Sequence, residues 1–316
     1  MPDKPPRADY AELTARFGPF CLLNEPARNF TTYKAGGAAR ALVKPACAED
    51  FVWLAAWCAR RRLPLFTLGR GSNVLVSDKG LDGVTALTER LDALEFSGNT
   101  VKAQAGVLWD DLARAAAQKG LAGFEKTSGI PGSVGGALRM NAGAFGQEAF
   151  DRLVAIDALT PEGKTVTLPK SAVPHGYRRV DGLEGFILLG AAFEFPAAPP
   201  AGLLAERDRV LAARAAKQPL DLPSAGSVFK RPPGDYASRL IDAAGLKGLR
   251  SGGAQVSAKH AGFIVNAGGA SATDIYTLMC EVRARVKAAA GVELELEQLL
   301  LGEFPRYNEV FQLGGE

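Results

Sequence analysis

The chain has 316 residues, which at roughly 150 per domain points to about two domains. Hydrophobic residues make up 47% and charged residues 22%, a balance that excludes a disordered chain. Lys plus Arg total 37 against 34 Asp plus Glu, and the resulting charge of +3 gives no reason to expect nucleic acid or an anionic membrane surface as a partner.

In chain order, residues 48–62 read as a helix. Phe51, Leu54, Ala55 and Cys58 share one face, and arginines 60–62 crowd the C-terminal end, where the helix dipole favours cations. Residues 65–68 and 74–76 read as strands separated by a turn at 69–73, with short strands near 84–87, 94–96 and 101–103. Residues 108–120 form a helix with Asp110 and Asp111 in its first turn and Gly120 as its stop. A hairpin is predicted at 151–168 around the turn Pro161-Glu-Gly-Lys164, followed by a buried strand at 186–195 and a charged helix at 203–217. Two prolines within 218–223 mark a linker. A helix at 236–244, strands near 254–256 and 263–265, a long helix at 271–290 and a strand at 292–301 complete the chain. Ser271-Ala-Thr-Asp274 opens the long helix as a capping box, and Gly291 closes it. The irregular alternation of helices and strands predicts α+β rather than a doubly wound sheet.

Cysteines 21, 47, 58 and 280 show no C-x-x-C spacing, and the histidines are His175 and His260 alone, so neither a metal site nor a disulfide framework is expected. The N-terminus lacks the apolar core of a secretory signal, and the longest apolar stretch, 186–195, is about half of what a membrane helix needs. A cytoplasmic monomer is the expectation.

Two glycine loops carry the chemical signal. Gly69-Arg-Gly-Ser-Asn-Val74 begins like a dinucleotide fingerprint, but it lacks the third glycine and runs into a strand, so the Rossmann reading fails. No Gly-Lys-Ser/Thr occurs, so the P-loop reading fails too. A glycine turn between strands can still offer backbone N–H groups to a phosphate, although a plain β-turn reads the same way. The second loop, 128–146, holds glycines 129, 132, 135, 136, 143 and 146. Each costs conformational entropy on folding, and a large anionic cofactor approaching the backbone would explain them.

Taken together the motifs identify a resemblance. Thr31-Thr-Tyr-Lys-Ala-Gly-Gly37, Leu68-Gly-Arg-Gly-Ser-Asn73, Gly129-Ile-Pro-Gly-Ser-Val-Gly-Gly136, Met140-Asn-Ala-Gly-Ala144, Gly176-Tyr-Arg178, Ser224-Ala-Gly-Ser-Val-Phe-Lys230, Gly252-Gly-Ala-Gln-Val-Ser257, Lys259-His-Ala-Gly-Phe-Ile-Val-Asn266 and Gly291-Val-Glu-Leu-Glu-Leu-Glu297 occur in this order. Over about residues 29–302 the chain resembles the UDP-N-acetylenolpyruvoylglucosamine reductases, flavoproteins of peptidoglycan synthesis, in their shorter form without a tyrosine-bearing loop. Lys34, Val180 and Arg231 depart from the common pattern, which has arginine, serine and asparagine there.

The resemblance implies an α+β fold with a two-part FAD-binding module of the vanillyl-alcohol-oxidase type, at 1–87 and 88–217, and a C-terminal α+β substrate domain at 218–302. The tail 303–316, with Phe304, Tyr307 and Phe311, is expected to pack back onto the first part. It further implies that NADPH reduces FAD and that the enolpyruvyl C3 then receives a hydride. Charge developing on the substrate carboxylate falls to Arg178 and Glu297, and protonation of C2 to Ser227. Arginine can grip a carboxylate bidentately, and a hydroxyl beside a cation can serve as an acid. Gly69, Gly71, Ser72 and Asn73 are expected to line one cofactor turn, and Gly132, Ser133, Gly135 and Asn141 the other. Tyr177, Lys217, Lys230 and Gln255 are the expected substrate contacts, the lysines as point charges for a diphosphate. Two rivals use the same cradle. An FAD-dependent oxidase or dehydrogenase of a hydroxylated small molecule is opposed by segments 224–230 and 252–266. A non-enzymatic nucleotide-sugar binder is opposed by the joint presence of Arg178, Ser227 and Glu297.

Overall fold

The structure, a computed structural model, describes residues 10–305. These fall into two compact units. The first comprises residues 10–25, 39–69 and 82–204, and the second 26–38, 70–81 and 205–305. The segments 26–38 and 70–81, which the sequence reading assigned to the first subdomain, therefore group with the C-terminal part.

The first unit contains two cores. One lies under helix Ala48–Arg61, whose Phe51, Leu54, Trp57 and Cys58 are buried, as the sequence pattern predicts. Its acidic first turn and basic last turn both suit the helix dipole. A short helix that the sequence reading did not find, Ala11–Phe17, adds Leu13 and Phe17 to this core. It is fastened by Glu12, whose carboxylate accepts from the Trp57 indole and the Arg61 guanidinium, each at 2.7 Å. Beside the helices runs a four-stranded sheet in the order Cys21–Pro26, Ala38–Val43, Leu81–Leu87, Leu65–Leu68. The last two strands are parallel.

The second core of this unit fills one face of a five-stranded antiparallel sheet, ordered Thr165–Pro169, Leu153–Leu159, Ile187–Glu194, Thr100–Gln104, Leu94–Ser97. The predicted hairpin is its outer pair, with Leu159 opposite Thr165. Helix Trp109–Gln118 buries Trp109, Leu112, Ala113, Ala116 and Ala117 against the sheet. The Trp109 and Phe124 rings stand 4.5 Å apart, with Phe193 and Phe195 edge-on to Phe124. Such pairs add about 0.5–1.5 kcal/mol each beyond their buried area.

The second unit is built on helix Ala272–Ala290. Ser271 and Asp274 form the predicted capping box, and Gly291 ends the helix in the left-handed conformation. Asp78 adds a carboxylate at the same N-terminus, accepting from the N–H groups of Ala272 and Thr273 at 2.8 and 2.7 Å. Ile275, Leu278, Met279, Val282 and Val286 pack with Leu240, Ile241, Ala254, Val256 and Ile264. The strands here are Arg250–Ser251, Ala254–Val256 and Ile264–Asn266. Phe304 lies against Tyr276 of the long helix, ring centroids 5.0 Å apart, inside this unit. Tyr307 and Phe311 lie outside the described residues.

The strand predicted at 292–301 is shorter than expected. Only Leu299–Leu301 forms a strand, and it runs parallel to Val74–Val76. The alternating segment before it pairs elsewhere, with Leu296 opposite Phe229. One apolar–polar pattern thus serves two neighbours in turn, and the change of partner ends the strand.

Candidate active site

In the first unit the two glycine loops meet at Gly69 and Ser133. A side-chain carbon on Gly69 would crowd the Ser133 hydroxyl, so the bare glycine leaves that hydroxyl its present place. Ser133 is the N-cap residue of helix Val134–Arg139, where a serine hydroxyl ordinarily accepts from a backbone N–H of the first turn. It makes no such bond. Its Oγ is buried without a partner, and so is Thr88 Oγ1, which faces the same bare side of Gly69. An unpaired buried hydroxyl costs about 1–3 kcal/mol, and native folds keep few of them. Two hydroxyl donors beside a bare glycine face fit the oxygen-rich phosphate and ribityl portions of FAD.

The neighbouring glycines are mostly explained by the protein itself. Gly135 donates its N–H to the Ala105 carbonyl at 2.9 Å, and a Cβ there would stand 3.0 Å from the Ala105 Cβ. A side chain here would press on Ala105, so packing within the protein favours glycine at this position beside the cofactor role expected from the sequence. Gly132 has φ +137°, closed to ordinary side chains. Gly136 is the helical glycine whose missing side chain meets open space, apart from the Ser133 hydroxyl at 3.8 Å.

Arg178 and Tyr177 form the tip of the small hairpin His175–Gly176/Arg179–Val180. Arg178 has φ +52°, a left-handed conformation that costs a non-glycine residue about 1–2 kcal/mol. Strain of this kind persists where surrounding contacts over-determine it, and it clusters at functional sites. Here the guanidinium donates to the carbonyls of Gly143 at 2.8 Å and Asn141 at 3.4 Å, and it lies 5.2 Å from the Tyr177 ring centroid. Tyr177 itself is 45% exposed. Asn141 is fully buried and also left-handed, with φ +40°. Its amide donates to the Glu148 carboxylate at 2.7 Å and to the Gly176 carbonyl at 3.1 Å, and it accepts from the Phe150 N–H at 3.1 Å. Both amide N–H donors are therefore committed to the protein.

In the second unit, Gly71 has φ +59°, and a side chain there would strike the Phe30 carbonyl. Ser72 is half-buried in the same turn. Asn73 donates to the Glu297 carbonyl at 3.0 Å and accepts from the Leu299 N–H at 3.0 Å. The first glycine turn is thus tied directly to the backbone of Glu297. Ser227 and Glu297 lie on adjoining segments, since Glu297 donates its N–H to the Val228 carbonyl at 2.8 Å. Lys230 is ion-paired with Glu295. Gln255 donates to the Gly248 carbonyl at 3.2 Å, and Lys217 is exposed at the end of helix Pro200–Lys217.

A further organiser escaped the sequence reading. Gln298 is buried, and its amide donates to the carbonyls of Ala225 and Gly226 at 3.0 and 3.2 Å while accepting from the Tyr33 hydroxyl at 2.9 Å. It holds the loop that bears Ser227. The signal was present: in Glu293-Leu-Glu-Leu-Glu-Gln298 a polar residue stands in the apolar phase. Burial raises the Tyr33 phenol above its ordinary pKa, so it remains a hydrogen-bond donor. Thr88 and Glu148 were missed as well, and no local sequence pattern marks them.

Among the described residues no cluster of His, Cys, Asp and Glu suits a metal ion, and no helix is long and apolar enough to cross a membrane.

Residues 39–169 match the family model described as an FAD binding domain. Residues 218–301 match that of the C-terminal domain of UDP-N-acetylenolpyruvoylglucosamine reductase. The reductase of that name from Listeria monocytogenes is 44% identical over 282 residues, covering 89% of this chain and 95% of the relative. The one from Levilactobacillus brevis is 43% identical over 286 residues, covering 90% and 94%. The crystal structure of UDP-N-acetylenolpyruvylglucosamine reductase from Thermus caldophilus superposes with a TM-score of 0.77 at 34% identity, over 89% of this chain and 98% of that one. With both parts of the molecule matched along nearly their whole length, the chain belongs to the UDP-N-acetylenolpyruvoylglucosamine reductase family of flavin-dependent oxidoreductases.

Proposed function

We propose that this chain catalyses the NADPH-dependent, FAD-mediated reduction of UDP-N-acetylglucosamine enolpyruvate to UDP-N-acetylmuramate, a step of peptidoglycan synthesis. The observation that carries the reading is the adjoining placement of Ser227 and Glu297 within the residues matched by the reductase C-terminal model. FAD, when bound, supplies the two-electron chemistry that links NADPH to the substrate. The chain's own residues bind, orient and move a proton. Ser133 and Thr88 offer hydroxyl donors to the cofactor beside Gly69. Arg178 holds the substrate carboxylate, where negative charge accumulates as C3 gains hydride. A charge contact aimed at the transition state is worth about 3 kcal/mol. Ser227 gives its hydroxyl proton to C2 and is reprotonated from solvent, and Glu297, acting in its acid form, donates a hydrogen bond to the developing negative charge. Lys217 and Lys230 offer cations to the diphosphate, with Lys230 exchanging Glu295 for the ligand. Tyr177 and Gln255 offer further polar contacts to the sugar nucleotide.

Visible spectra of the purified protein test the reading. The protein is expected to be yellow, to bleach on adding NADPH, and to recover its colour on adding UDP-N-acetylglucosamine enolpyruvate under anaerobic conditions. Colour that returns only with air, or a colourless protein that does not take up FAD, refutes it.

A further inference from the structure

We infer that Asn141 is a positioning residue for Arg178, and that its amide serves the substrate half of the reaction rather than the binding of cofactor. The inference rests on the proposed role of Arg178.

Asn141 follows the second glycine loop, a place that suggests contact with a cofactor. Its amide faces the other way. One N–H donates to Glu148 and the other to the Gly176 carbonyl, while the amide oxygen accepts from the Phe150 N–H. A flipped amide would set its N–H groups against the Phe150 N–H and its oxygen against two acceptors, so one orientation is fixed. No N–H is left to donate to a phosphate.

What this network holds is the hairpin bearing Arg178. Gly176 is two residues from Arg178 and begins its turn. The Asn141 carbonyl meets the Arg178 guanidinium, and so does the Gly143 carbonyl two residues further on. Asn141 therefore touches the hairpin through its side chain and the guanidinium through its backbone. Both residues sit in the left-handed region, a coincidence that local preference does not favour for an arginine. Glu148 closes the arrangement from the far side: it caps the turn Ala149–Asp151 and anchors the Asn141 amide at the same time. The guanidinium is thus aimed by carbonyls held through the buried Asn141 and its hydrogen-bond partners, as a rigid carboxylate clamp requires.

The test compares wild type, Asn141→Gly, Arg178→Ala and the double variant, each as flavin-loaded protein. Glycine keeps the left-handed backbone and removes the amide. Asn141→Asp, which keeps the size and removes both donors, gives a second reading should the glycine variant fail to fold. Flavin per chain and the rate of flavin reduction by NADPH are expected to match wild type. Reoxidation by UDP-N-acetylglucosamine enolpyruvate should slow on the order of 30- to 100-fold, the usual effect of misplacing a catalytic group. The double variant should be no slower than Arg178→Ala, because Asn141 acts through that residue. Hydrogen exchange should quicken over 175–180 and stay unchanged over 187–194. Loss of flavin from Asn141→Gly makes the residue a cofactor ligand and overturns the inference. Additive losses in the double variant overturn it as well. If Arg178→Ala reoxidises at the wild-type rate, the assignment of Arg178 is wrong and the inference falls with it, a pattern distinct from additivity.

Discussion

Replacing Ser133 by alanine should move two measurements in opposite directions. In the flavin-free protein the hydroxyl is buried with no partner, a state that costs about 1–3 kcal/mol. An N-cap serine that caps loses about 1 kcal/mol on conversion to alanine. Ser133 caps nothing, so that loss does not arise and the variant should be the more stable protein. In the cofactor contact proposed for it, the same hydroxyl gains an anionic or polar acceptor, and a hydrogen bond to a charged group contributes about 1.5–3 kcal/mol. At about 1.4 kcal/mol per tenfold, its removal should weaken FAD binding about 10- to 150-fold. Urea unfolding of flavin-free protein reads the first effect, and titration of flavin fluorescence reads the second. A variant that is less stable without flavin, yet binds FAD as wild type does, refutes the reasoning: the hydroxyl would then be a structural group satisfied by water.

Ser227→Ala should leave NADPH-driven bleaching of the flavin intact and slow reoxidation by the enolpyruvyl substrate at least about 100-fold, the range of general acid catalysis. Stopped-flow absorbance separates the two halves, and the reverse pattern removes Ser227 as proton donor. His260 gives a pH prediction. Burial, with Lys247 and Lys217 adding repulsion, holds its imidazole below the ordinary 6.5. The folded state therefore binds this proton less readily than the unfolded state. The contribution to stability is complete above pH 6.5 and is lost as the pH falls below it. His260→Gln should flatten the fall in melting temperature between pH 7 and 5, and equal slopes for the two proteins count against the argument.

Elements whose signals are local were legible in the sequence. The helices at 48–61, 109–118 and 272–290 announce themselves through acidic first turns, a capping box or a terminal glycine, and the 153–169 hairpin through its turn. Strands Cys21–Pro26 and Ala38–Val43, which lie side by side in the sheet, were not, because their sequences carry no clean alternation. The site divides the same way. Gly69 and Ser133 were singled out from loop composition, and a pair of unpartnered hydroxyls lies beside them. The hydrogen-bond acceptors of the Asn141 amide were out of reach, since they lie 7 and 35 residues away. Gly135 and Asn73 drew attention through their loops, and the contacts they make, with Ala105 and Glu297, exist only in the folded chain.

The parallel pairing of Val74–Val76 with Leu299–Leu301 has a consequence for how the molecule is made. These strands are about 225 positions apart, and at roughly 5–20 residues per second the ribosome needs about 10–45 s to travel from one to the other. The first unit has all its strands once residue 194 has emerged, so it can close while the rest is still being synthesised. The turn at Gly71–Asn73 must wait, since Glu297 and Leu299 are its anchors. Until then 74–76 is an open strand edge, the feature most apt to pair with another chain. A product truncated before residue 299 would keep that edge permanently unpaired, and it should resist flavin loading and aggregate even though its first unit is intact.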